Sequence, residues 1–106
     1  MKNESLVDII YDEIGHEIPR PMPVLRKRRE GKGLILSFAG KGHALRRHSL
    51  NRMSMQVYEL CDGKREIGEI RNLMLENWGS LPPRITSQHV VRAIRVMQRK
   101  GILACP

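Results

Sequence analysis

Aromatic side chains are almost missing from this chain of 106 residues: Tyr11, Phe38, Tyr58 and Trp78 are the whole set. A core must therefore be built from Leu, Ile, Val and Met, and methionine-rich packing adjusts readily to its neighbours. There are two cysteines, Cys61 and Cys105, and neither sits in a paired spacing that builds a zinc site or a disulfide framework. Both read as reduced thiols of a cytoplasmic protein. No apolar run approaches the roughly 20 residues that cross a bilayer, and the N-terminus lacks the charged and apolar regions of a signal peptide, so no membrane partner is expected. A Gly-rich phosphate loop, a close pairing of metal ligands among His16, His43, His48 and His89, and a nucleophile with an orienting partner are all absent. Neither an enzyme nor a cofactor is expected.

Acids are also in short supply. Nineteen Lys and Arg face eleven Asp and Glu, for a net charge of +8, which implies attraction to something anionic. The deficit is uneven. Residues 1–22 carry two basic residues against five acids, a net −3, and residues 23–106 carry +11. The length suits one domain with one modest core. A division follows from charge and from the prolines at 19, 21 and 23: an acidic amphipathic extension with a Pro-rich linker over 1–22, and a domain over 23–106.

Within the extension, Leu6, Ile9, Ile10 and Ile14 recur at helical spacing after Ser5, a candidate N-cap, and stop at Gly15. From Val24 the pattern becomes strand-like: VLRKRRE, a turn at Gly31 to Gly33, then LILSFA with Leu34, Leu36 and Phe38 on one face. A second turn at Gly40 to Gly42 leads to HALRRHSL, whose poor alternation suits an edge strand. A helix of about ten residues follows Leu50 and Asn51, with Met53, Val57, Leu60 and Cys61 as its stripe, and ends at Asp62 and Gly63. The next helix runs from about Ile67 to Asn77, with Glu66 near its start and Trp78 closing it. The segment GSLPPRITS reads as a loop over 79–87 with a Pro-Pro break, and Thr86 or Ser87 as the cap of a last helix over 88–100. The stripe of that helix is Val90, Ile94 and Met97, and Arg92, Arg95 and Arg99 lie on the other side. The expected fold is α+β: a three-stranded antiparallel sheet followed by three helices, with an extra N-terminal helical segment.

Three strands and then three helices, joined through LN, ELCDG and an IGEI helix, resemble the family of the pyrroloquinoline-quinone biosynthesis protein D. The resemblance rests on Leu50, Asn51, Leu60, Cys61, Asp62, Gly63, Ile67 and Ile70, with weaker agreement over Val24 to Ser49 and in RAIRVMQRKGIL. It departs in having Glu66 where that family often has Thr or Ser, and in its unusually basic strand arms. It implies a winged helix-turn-helix-like domain that acts as a recognition element and peptide chaperone in the biosynthesis of ribosomally made natural products. Such a domain binds the leader segment of a precursor peptide by strand addition and presents it to a modifying enzyme, often a radical-SAM one. Carried over, the peptide-binding role falls on Ala44, Leu45, Arg46, Arg47 and His48 of the edge strand and on Val91, Arg92, Arg95 and Arg99 of the last helix. Strand phase decides which of Leu45 and Arg46 faces the groove, and one residue of slip reverses the answer.

Each of these residues also has a plainer reading. Arginines on a helix usually solubilise an exposed face, and the hairpin tip RKRREGKG is most often simply solvated. Cys61 reads as a small core residue, Asp62 as a turn former, and Trp78 as a lid on the second helix. Residues 1–22 either dock on their own domain, pair with a second copy in a homodimer, or order only with a partner. The rival function is a DNA-binding transcription regulator, since the chain is basic and two helices are joined by a turn. Against nucleic acid stand the position of the hairpins ahead of the helices and a turn longer than the usual three or four residues.

Overall fold

A computed structural model describes residues 6–42 and 44–105, with the side chains of Val7 and Asp8 left aside; the Ser5 cap and His43 lie outside the described residues. The element order is α1 (Leu6–Ile14), β1 (Arg26–Glu30), β2 (Gly33–Ala39), β3 (Leu45–Leu50), α2 (Arg52–Leu60), α3 (Ile67–Asn77) and α4 (Pro83–Arg99). The fold is thus α+β, a three-stranded antiparallel sheet followed by three helices, with a helix ahead of them. The sheet order is β1-β2-β3, which leaves β3 at an edge.

The two-residue period of β2 decides where the sheet meets the core. Leu34, Leu36 and Phe38 are buried beneath it, packed with Val57, Ile67, Ile70, Met74, Val90, Ile94 and Met97 of the helices. Asn51 caps α2 by accepting the N–H of Ser54 at 2.9 Å, and the Asp62 carboxylate accepts the N–H groups of Lys64 and Arg65, forming the turn into α3. Those two bonds hold its pKa below the ordinary carboxylate value. Trp78 sits at the end of α3 with its indole N–H donated to Gln56 at 2.6 Å.

The Pro-Pro pair does not break a loop. Pro83 is the first residue of α4, where its missing N–H costs nothing, so the helix starts five residues earlier than expected and Thr86 and Ser87 are buried inside it rather than capping it. In α1 the apolar stripe docks only in part, through Ile14, which packs against the core. Tyr11 is buried, with its hydroxyl donated to the Ser87 carbonyl at 2.8 Å and the Arg71 guanidinium 4.2 Å over its ring. Leu6 and Ile9 face solvent. The proline segment then runs extended beneath the helices: Glu17 and Gly15 carbonyls accept the first two N–H groups of α3, and Met22 and Arg20 exchange backbone bonds with Ile102 and Ala104. No helix among the described residues is long and apolar enough to cross a membrane.

Candidate peptide groove beside the edge strand

Antiparallel pairing fixes the phase of β3. Leu34, Leu36 and Phe38 stand opposite Leu50, His48 and Arg46, and the Gly40 N–H donates to the Ala44 carbonyl at 2.9 Å. Because bonded and non-bonded pairs alternate, residues 46, 48 and 50 spend their backbone groups on β2, and the N–H and C=O groups of Leu45, Arg47 and Ser49 point outward from the edge. Among the described residues no backbone group meets them there. The side chains of Arg46, His48 and Leu50 share the core-side face, and those of Leu45, Arg47 and Ser49 take the other.

No Cα of β3 comes within 8 Å of a Cα of α4, so the two are separated by a groove that only side chains cross. Arg46 crosses it. Its Nη1 donates to the Lys100 carbonyl at 3.1 Å, and the guanidinium lies 5.5 Å over the Phe38 ring. A cation there also meets the negative end of the α4 dipole. Gly101, at φ +74°, ends the helix in a conformation other residues resist, and a Cβ at that position would come within 3.0 Å of the same Arg46 nitrogen. At the other end the groove widens to about 420 Å³ between the β3–α2 junction and α4. Its floor is Leu50, Met97 and Ile102, all buried. His89, Arg92 and Lys100 form the α4 rim, Ser49 and Asn51 stand on the other side, and no acid lines it. His48 lies beside this space with its Nε2 buried and unpaired. Burial first, then the Lys100 and Arg46 charges, lower its pKa below 6.5.

The residues singled out from the sequence therefore separate into groups. Arg92 lines the groove, Arg46 crosses it and His48 shares the core-side face of β3, whereas Leu45 and Arg47 contribute outward backbone but turn their side chains to the far face of the sheet. Ala44 belongs to the turn before β3. Val91 is half-buried against the core. Arg95 faces the other way, clamping Glu17 through two bonds of 2.8 and 3.3 Å and reaching Gln98 at 2.8 Å, and Arg99 is exposed outside the groove lining. The sequence reading missed Leu50, Asn51, Met53 and Ser54 at the strand–helix junction, and His89, Ala93, Val96 and Lys100 on α4. The α4 set was visible in principle, at steps of four, three and four flanking the core stripe. Its mixed chemistry hid it behind the more conspicuous arginines.

No protein-family model, curated protein or solved structure matches this chain.

Proposed function

We propose that this protein is a peptide-recognition element, similar to the pyrroloquinoline-quinone biosynthesis protein D family, that takes the leader of a precursor peptide onto the outer edge of β3 in the cytoplasm. The observation that carries the reading is the free row of outward N–H and C=O groups at Leu45, Arg47 and Ser49 beside a groove with an apolar floor and a cationic rim. A strand added there gains main-chain hydrogen bonds, and its alternate side chains drop onto Leu50, Met97 and Ile102. His89, Arg92 and Lys100 favour acids in that strand. Catalysis belongs to a partner enzyme, of the radical-SAM class by the same resemblance.

One observation favours DNA binding instead. Because α4 starts at Pro83, only residues 78–82 separate it from α3, and Arg84, Gln88, Arg92 and Arg99 form an exposed row along it. That is the placement of a recognition helix. Mixing the protein with an acidic leader-like peptide, and separately with duplex DNA, at two salt concentrations discriminates the two. Strand addition is expected to select the peptide with a shallow salt dependence, whereas DNA binding falls steeply with salt across unrelated sequences. DNA binding of that kind without peptide binding overturns the proposal.

The phase of β3 also dictates the variant. Arg46→Pro removes an N–H that bonds β2, while Arg47→Pro removes an outward one, which edge strands tolerate. Arg47→Pro is expected to weaken peptide binding at least tenfold, about 1.4 kcal/mol, with the fold retained by circular dichroism.

A further inference from the structure

We propose that the open face of the sheet receives α1 from a second copy of this chain. The face turned away from the core carries Ile35 and Ser37 at its centre, with Leu25 and Leu45 beside them, 64% and 52% exposed. Together they floor a shallow depression of about 310 Å³, and Arg26, Arg28 and Arg47 surround it. The acid on this face, Glu30, is held by Arg28 at 3.0 Å. The surface is therefore apolar in the middle and cationic at its margin.

The complementary surface is on the same chain. In α1, Leu6 is 70% and Ile9 43% exposed, one turn apart on one side of the helix. Asp12 and Glu13 follow, both exposed, and α1 has three acids and no basic residue. An apolar ridge with acids beyond it matches an apolar floor with arginines around it, in shape and in sign. A nucleic acid would find no aromatic side chain on this face to stack against. Within one chain the two surfaces cannot meet, because α1 packs on α3 and α4 through Tyr11 and touches no strand. The contact is therefore between copies and joins two different patches, so it either closes, by reciprocal exchange in a two-fold pair or in a larger ring, or propagates. One short helix on a shallow face makes a small interface, hence a weak and salt-sensitive one.

The test is sedimentation equilibrium of the full chain alongside Leu6→Lys and Leu25→Glu, with Asp12→Arg as a second helix-side variant. All three positions are exposed, and unchanged thermal unfolding confirms intact folds. The wild-type protein is expected to gain weight-average mass with concentration and lose it with added salt, and each variant alone to stay a single chain. An equimolar mixture of Leu6→Lys and Leu25→Glu is expected to associate again, since one supplies an intact sheet face and the other an intact helix. A wild-type protein that stays a single chain at all concentrations overturns the proposal. So does a variant that still associates alone, because the patch it lost would not be needed, or a mixture that does not recover association, because an intact helix and an intact sheet face would then not bind each other.

Discussion

Two side chains show what burial does to chemistry at single positions. The Cys61 thiol is buried and donates to the Val57 carbonyl at 3.2 Å, and burial pushes its pKa up to about 12. Cys105 is exposed. A thiol-specific reagent at neutral pH is expected to label Cys105 quickly in the folded protein and Cys61 only after denaturant is added. Two fast thiols in the native protein would contradict the packing described. His48 gives the pH counterpart. With its pKa held below 6.5 in the folded protein, the unfolded chain binds a proton that the folded chain refuses. Its contribution to stability is therefore whole above 6.5 and is lost as pH falls through the folded value. The decline of Tm on acidification from neutral pH is expected to be shallower in His48→Gln than in the wild-type protein. Equal slopes would remove His48 from the account.

Among the elements, the extended segment after α1 has a role that charge alone did not suggest. A docked acidic tail on a basic domain invites the view that it shields a peptide site, so that deleting residues 1–22 would raise affinity. The structure places the segment elsewhere. It caps the N-terminus of α3 with the carbonyls of Gly15 and Glu17, pairs with the chain around Leu103, and locks onto α4 through Glu17 and Arg95. Its removal would leave the first N–H groups of α3 without acceptors and the chain at Ile102 without its backbone partner, so it is expected to lower stability rather than raise peptide affinity. Arg95 and Glu17 are each about a third exposed, which tempers their attraction. A double-mutant cycle on Arg95→Ala and Glu17→Ala is expected to return a coupling of about 1 kcal/mol, read from denaturant unfolding. A coupling of zero would mean that the backbone bonds alone hold the segment.

For the molecule as a whole, one core serves both the sheet and the helices, and α4 is its axis. Val90, Ile94 and Met97 are buried to 1% exposure or less, and the face of α4 beside them lines the groove. Ile94→Ala is expected to cost about 3 kcal/mol, a large part of the roughly 5–15 kcal/mol that holds a domain of this size. Urea unfolding measures it, and a loss below about 1 kcal/mol would mean the core collapses around the cavity.

Much of this architecture was legible in the residues because local physics dictates it. The period of two in LILSFA, the Asp62 turn and the helix from Ile67 to Asn77 each depend on a few neighbouring residues, and the structure keeps them. The start of α4 was misread because Pro-Pro can either break a helix or open one, and packing of Thr86 and Ser87 decides which. Similarly, of the α1 stripe Leu6, Ile9, Ile10 and Ile14, Ile14 packs on the core while Leu6 and Ile9 stay exposed, and Tyr11, outside the stripe, docks because its hydroxyl finds the Ser87 carbonyl, 76 residues away in the chain. The groove lay furthest from the sequence. Whether Arg46 or Leu45 faces it turns on pairing with Phe38, and whether Arg92 or Arg95 does turns on where α4 stands against β3 and against Glu17. The kinds of element, their order and the separation of charge between tail and body could be read from the chain alone, since each is a matter of composition or of near neighbours. Strand phase, which arginines face the groove and which surface is left open came only with the fold, because those depend on contacts between residues far apart in the chain.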